Sequence, residues 1–135
     1  MITGSTAPRH VQARYLRGGC FVLAIELHRV TGLPLWGLKL GSGPEAELHH
    51  AFIADPDRDL AIDIRGNRPI GRMREGSRDE HQLVAVPISE AEIMAVVGSF
   101  GAEEIKEARR AVRDHLREHV LDIRKAREMG GPGPS

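Results

Sequence analysis

Residues 18–34 read GGCFVLAIELHRVTGLP, and this stretch decides the fold. Apolar side chains occupy nearly every face of the segment from Cys20 to Thr31, which predicts a central helix that is covered on most sides. Gly32 and Pro34 follow, and these residue types end helices through a left-handed position and a ring that lacks an N–H group. The sequence therefore predicts a buried helix over 20–31.

The next part of the chain changes to the composition of strands. The segment 55–59 is rich in aspartate, contains a proline and separates two apolar runs, which predicts an antiparallel hairpin. A Gly-Ser-Gly-Pro turn over 41–44 separates the first two runs. We expect a sheet of about four antiparallel strands, formed by Leu35 to Leu40, His49 to Ala54, Leu60 to Ile64 and His81 to Pro87.

Helices are predicted again toward the C-terminus, after a polar stretch over 65–80 that we interpret as a long loop. Ser89 with Glu92 three residues later resembles a capping box and predicts the start of a short helix. Apolar residues spaced by three or four positions predict one amphipathic helix over 102–129, whose charged face is solvated rather than a nucleic-acid surface. The fold class is α+β: a Cys-bearing helix packed on a small antiparallel sheet, with C-terminal helices.

Length and composition indicate one domain over 1–129, with a disordered tail over 130–135. The chain has 135 residues, enough to bury a core, and its 19 basic residues balance 19 acidic ones. We therefore expect neither a nucleic acid nor a membrane as partner. One cysteine excludes an intrachain disulfide and favours a reducing compartment, so the expected location is cytoplasmic. Delivery into another cell by a signal-independent route stays open.

That single cysteine, Cys20, lies where a nucleophile would be placed. It follows a glycine pair and begins the predicted helix, where the peptide dipoles favour a thiolate. A thiolate nucleophile needs a histidine to transfer protons and a third polar group to orient the imidazole. The pair His49-His50 and then Asp63, between two isoleucines on the next strand, follow in that order. This order predicts a catalytic site.

Only one of the two adjacent histidines can face Cys20, because successive side chains of a strand point to opposite faces. His50 shares its face with Phe52, and His49 shares its face with Ala51. Apolar alternation therefore does not separate the two histidines, and the residues alone leave the choice open.

Four short motifs between Gly18 and Gly66 carry a resemblance to a known family. They are Gly18-Gly19-Cys20, Thr31-Gly32-Leu33-Pro34, His50-Ala51-Phe52-Ile53 and Ile62-Asp63-Ile64-Arg65-Gly66. In their joint order and spacing they resemble the papain-like cysteine fold of the NlpC/P60–transglutaminase type, especially its small bacterial members. The resemblance covers about the first half of the chain, and by it residues 1–129 would be a papain-like domain.

The resemblance implies that Cys20 is the nucleophile, His50 the base and Asp63 the orienting acid, with His49 a neighbour. The implied function is thiol-dependent acyl chemistry through an acyl-enzyme: amide or ester hydrolysis, deamidation or acyl transfer on a protein or peptide substrate, with no cofactor. The alternative is a non-catalytic protein-interaction domain that retains the fold.

Two further features bear on the chemistry. Papain-like peptidases have an oxyanion-hole glutamine shortly before the cysteine, and the nearest candidate in this chain is Gln12. The backbone N–H of Cys20, an unpaired donor at the start of the predicted helix, is expected to serve as one donor. The sequence from His115 to His119 matches the zinc-binding pattern H-x-x-E-H. His119, however, falls within the predicted apolar stripe, and we expect no metal site there.

Overall fold

The computed structural model describes residues 4–129, so the tail predicted over 130–135 lies outside the described residues. The fold is α+β, as the sequence predicts. Ten helices and strands follow one another within this range, and short 3-10 turns connect some of them. They are α1 (Arg9–Tyr15), α2 (Cys20–Thr31), β1 (Leu35–Leu40), β2 (Glu47–Asp55), β3 (Leu60–Asp63), β4 (Gly66–Arg68), β5 (Leu83–Pro87), α3 (Glu90–Val97), α4 (Ala102–His115) and α5 (Arg117–Met129).

The five strands form one antiparallel sheet in the order β4-β3-β2-β1-β5. One face of the sheet packs against the helices and forms the larger apolar core. The other face forms a smaller core around Phe52, which the polypeptide after β4 covers with Met73. The sheet is therefore buried on both sides around β2.

Helix α2 begins and ends at the residues that the sequence predicts. Gly32 adopts a left-handed conformation with φ 74°, and its N–H donates to the carbonyl of His28. Every residue from Cys20 to Leu27 is buried, and only the last turn reaches solvent. The helix lies between the sheet and the C-terminal helices, contacting β2 and α4. The prediction of a central, covered helix is confirmed.

The predicted loop over 65–80 contains more structure than its composition indicates. Its first residues form the short edge strand β4, which pairs with β3, so the sheet has five strands rather than about four. Met73 is fully buried in the smaller core. The three residues of β4 carry no apolar alternation, and for that reason the strand had no sequence signal.

The single helix predicted over 102–129 is wrong, because the chain breaks at Leu116 into α4 and α5. Leu116 leaves the helical conformation with φ −124° and ψ 8°, and its side chain is fully buried. The change of direction lets both helices pack against α2. With this break the longest helix, α4, has 14 residues. Within residues 4–129 no helix is long and apolar enough to cross a bilayer.

Candidate active site

Strand β2 presents its histidines at an irregularity in the sheet. Leu38 of β1 pairs with His50, and the next residue of β1 pairs with Leu48, so His49 is an extra residue in the ladder. Such a bulge interrupts the alternation of side chains and is frequent beside active sites. Leu48 accordingly packs into the helix-side core together with Ala51, although strict alternation would separate them.

The two histidines have different environments. The Nε2 of His50 lies 2.9 Å from Oδ2 of Asp63, both side chains are buried, and the ring of His50 stacks on Phe52 with 6.0 Å between centroids. His49 lies in solvent, where its Nε2 is 3.3 Å from Oε2 of Glu47. The structure thus pairs His50 with Asp63, the histidine and the acid that the resemblance selected.

Arg65 holds the carboxylate of Asp63 from the other side. Its Nη2 donates to Oδ2 at 2.6 Å, its Nε donates to the same oxygen at 3.0 Å, and its backbone N–H donates to Oδ1 at 2.8 Å. The guanidinium also donates to the carbonyls of Met73 at 2.9 Å and Glu75 at 3.1 Å. Arg65 therefore links Asp63 to the loop over 69–82.

Arg65 lies within the motif from Ile62 to Gly66, but the sequence alone predicts no role for it. A signal was present, because an arginine two residues after a buried acid shares its face of an extended chain. Only the fold, however, brings the carbonyls of the loop to the same guanidinium.

These contacts set the charges of the buried pair. Burial alone would lower the pKa of His50, but the hydrogen bond with Asp63 and the proximity of Cys20 raise it to about 9. Burial would raise the pKa of Asp63, but the hydrogen bonds from His50 and Arg65 and their positive charges hold it well below its usual range. The raised pKa of His50 and the lowered pKa of Asp63 both favour an imidazolium–carboxylate ion pair at neutral pH.

Cys20 is the first residue of α2, and it lies near enough to the imidazole to contribute to the raised pKa of His50. Because Nε2 of His50 is hydrogen bonded to Asp63, Nδ1 is the ring nitrogen left for an interaction with the thiol. The structure thus brings Cys20 and Asp63 to the same imidazole, which is hydrogen bonded to Asp63. Cys20 is only 1% exposed and packs within the helix-side core.

Neither group that the sequence nominated as an oxyanion donor is free for that role. The backbone N–H of Cys20 donates to the carbonyl of Arg17 at 3.1 Å, so the expectation of an unpaired donor is wrong. The reason is the tight turn before α2, in which Gly19 also donates to the carbonyl of Arg14. The side chain of Gln12 donates to the carbonyl of Ala7 at 3.0 Å.

Two grooves flank the exposed His49. The first has a volume of about 710 Å³, reaches His50 and is lined by Arg17 and by the loop residues 75–79. The second, of about 690 Å³, lies between β2 and α3. Both grooves include His49 in their lining. A substrate in the first groove would reach His50 before it reaches Cys20.

The two histidines of the H-x-x-E-H pattern lie on different helices, His115 at the end of α4 and His119 in α5. The break at Leu116 separates His115 from the rest of the pattern, and Nδ1 of His115 lies 3.4 Å from the hydroxyl of Thr6. His119 is buried, and neither of its ring nitrogens has a hydrogen-bond partner in the described part of the chain. Residues 4–129 contain no cluster of three or more His, Cys, Asp or Glu side chains that could hold a metal ion.

Comparison with family models, with curated proteins and with solved structures found no match to this chain. The papain-like resemblance therefore stays a prediction.

Proposed function

We propose that this protein carries out thiol-dependent acyl chemistry, with Cys20 as nucleophile, His50 as general base and acid, and Asp63 as the group that orients the imidazole. The observation that carries the proposal is the buried hydrogen bond between Asp63 and His50, with Cys20 near enough to influence the pKa of the same imidazole. The papain-like resemblance supports the same three roles and remains part of the proposal.

The charges around His50 favour this chemistry. An imidazolium beside a thiol stabilises the thiolate, which is the nucleophilic form. The thiolate sulfur of Cys20 attacks a carbonyl carbon, and the carbonyl electron pair moves to oxygen. When the tetrahedral intermediate collapses, the leaving group departs with a proton from His50 and an acyl-enzyme remains on Cys20.

The acyl-enzyme then reacts with a second molecule. Neutral His50 takes a proton from water or from an amine, whose oxygen or nitrogen attacks the acyl carbon and releases Cys20. Amide or ester hydrolysis, deamidation and acyl transfer share these steps, and the proposed substrate is the carbonyl of a protein or peptide. Throughout the cycle the carboxylate of Asp63 holds the imidazole in place, and Arg65 fixes that carboxylate.

The burial of the thiol favours a second candidate. A side chain that is 1% exposed, in a site whose nominated oxyanion donors are engaged elsewhere, is also what a non-catalytic interaction domain with this fold would contain. In that case the ion pair would stabilise the core, and Cys20 would be a small apolar residue of α2.

Alkylation of Cys20 by iodoacetamide across pH, followed by intact-protein mass spectrometry, distinguishes the two candidates. If Cys20 and His50 form a thiolate–imidazolium pair, alkylation of Cys20 in the wild type should persist below neutral pH. In His50→Gln the alkylation below neutral pH should be lost. His49→Ala is the matched control and should behave as the wild type, since His49 is exposed and paired with Glu47.

A second measurement tests acyl transfer itself. Incubation with p-nitrophenyl acetate should give a burst of nitrophenolate and an acetyl adduct on Cys20 in the wild type and in His49→Ala, but not in His50→Gln. If all three proteins show the pH profile of an ordinary thiol and none forms the adduct, the interaction-domain candidate replaces the catalytic one. Thermal unfolding of each variant controls for loss of fold.

A further inference from the structure

A second feature of the molecule lies away from the candidate active site, in a groove bounded by α2, α4 and α5. Its apolar lining consists of Val30, Val112, Val120 and Leu121. Val30 is 39% exposed and Leu121 is 50% exposed. Only four large apolar side chains within residues 4–129 are this exposed, and two of them lie in this one groove. Exposed apolar side chains that are grouped in this way mark binding surfaces.

The charge around the groove is predominantly positive. Four arginines and a single carboxylate complete the lining: Arg109, Arg113, Arg117, Arg124 and Glu26. Glu26 is buried and already engaged, since its Oε2 accepts from Nε of Arg109 at 3.2 Å and its Oε1 lies 3.7 Å from Nη1 of Arg29. Among the described residues, Arg117 and Arg124 have no carboxylate partner.

This local excess is not a property of the whole chain. The protein has a formal net charge of zero, so the positive charge of the groove is offset by acidic residues elsewhere. A partner of opposite charge would therefore be attracted to this face in particular.

The size of the groove indicates what it can hold. Its volume of about 260 Å³ is below the range of about 300–1,000 Å³ that is usual for small-molecule sites. It can receive one or two apolar side chains of a larger partner, which is how anchor residues dock in protein interfaces. Arginine is, with Trp and Tyr, one of the residue types enriched among those that contribute most to binding.

We propose that this groove binds an acidic amphipathic segment of a partner protein. Apolar side chains of the segment pack on Val30 and Leu121, and its carboxylates pair with Arg117 and Arg124. These two arginines are seven positions apart on α5, about 10.5 Å along the helix axis, with Leu121 between them. The matching segment has two carboxylates two helical turns apart and an apolar side chain between them. This proposal is independent of the chemistry at Cys20.

An apolar floor distinguishes this surface from one for nucleic acid. A phosphate backbone is bound by rows of cations and polar groups, and it offers nothing to pack on two exposed apolar side chains. An acidic amphipathic segment uses both the arginines and the apolar floor.

Fluorescence anisotropy with defined probes tests the proposal. The first probe is a labelled helical peptide of about 16 residues with Glu at two positions seven apart and Leu between them. Matched probes carry Lys in place of Glu, or Ser in place of Leu, and a single-stranded DNA of similar charge is the fourth probe. The protein variants are Arg117→Glu, Arg124→Glu and Leu121→Ser. Arg110→Glu is the control, because it makes the same charge change on another face of α4.

We expect the Glu/Leu peptide to bind the wild type and Arg110→Glu alike. Each of the three groove variants should weaken its binding about tenfold or more, and added salt should weaken the wild-type complex. The Lys and Ser peptides should bind at least about tenfold more weakly than the parent peptide.

Three results of these comparisons between probes and variants would overturn the proposal. They are equal binding of the Ser peptide, equal weakening by Arg110→Glu, and DNA binding as tight as that of the Glu/Leu peptide. Absence of peptide binding at concentrations up to about 1 mM would overturn it as well.

Discussion

Replacing Asp63 by Asn changes the charge at the centre of the site and little else. The amide is nearly isosteric with the carboxylate, but it carries no negative charge and only one acceptor oxygen. In the wild type both carboxylate oxygens accept hydrogen bonds, from His50, from the side chain of Arg65 and from its backbone N–H. The variant therefore leaves two cations without their anion in a buried position.

The magnitude follows from these contacts. Breaking a buried ion pair by removing one partner costs about 3–5 kcal/mol. Arg65 is 12% exposed and keeps its hydrogen bonds to the carbonyls of Met73 and Glu75, which argues for the lower end of that range. We expect Asp63→Asn to lose about 3 kcal/mol of unfolding free energy at pH 7, equivalent to a drop in Tm on the order of 10 °C. The pKa of His50 should fall from about 9 toward its ordinary value.

Urea unfolding at pH 7 and NMR titration of the His50 ring measure the two effects. Asp63→Asn/Arg65→Met removes both charges and should be about 1–2 kcal/mol more stable than the single variant. Asp114→Asn, at an exposed pair with Arg113, is the control and should stay within about 0.5 kcal/mol of the wild type. If Asp63→Asn unfolds at the wild-type urea concentration and His50 titrates unchanged, then Asp63 does not support the imidazolium and its proposed role is wrong.

Three further predictions concern stability. Gly19→Ala should lower the free energy of unfolding, measured in denaturant, by about 1–3 kcal/mol, because a Cβ there would lie 2.9 Å from the carbonyl oxygen of Arg14. Gly18→Ala, where a Cβ meets open space, should stay within about 0.5 kcal/mol of the wild type, and equal losses in the two variants would refute this explanation. His119→Leu should raise the unfolding free energy by about 1 kcal/mol, since it removes a buried imidazole without a hydrogen-bond partner among residues 4–129, and a loss of stability would contradict this. Because its pKa is raised, protonated His50 stabilises the fold fully below about pH 6.5, and this part of the unfolding free energy should be lost as the pH rises to about 9. The loss should be absent in His50→Gln, and a variant that retains it would show that another group is responsible.

The sequence was sufficient for those parts of the fold that local patterns determine. The end of α2 follows from Gly32, and β1 has the predicted bounds because its apolar run is bordered by a proline and by a glycine turn. The bulge at His49 and the break at Leu116 arise from packing. Neither could be predicted, because no glycine or proline marks the break and the bulge depends on how β1 and β2 align.

The residues of the candidate site were likewise predictable only in part. Chain order and the family resemblance named Cys20, His50 and Asp63, which the fold brings together. Arg65 was missed because its role depends on carbonyls 8 and 10 residues further along the chain. The expected donor at the N–H of Cys20 was wrong because helix rules alone do not predict the turn that occupies it.

The burial of Cys20 also has a kinetic consequence. Cys20 is 1% exposed, so its observed rate of reaction should be the product of an opening equilibrium and the intrinsic rate of the open form. A substitution in the turn over 16–19 can therefore change the apparent reactivity without altering the thiolate. The ratio of rates for a small and a bulky electrophile would measure how wide the opening is, and so which substrates gain entry.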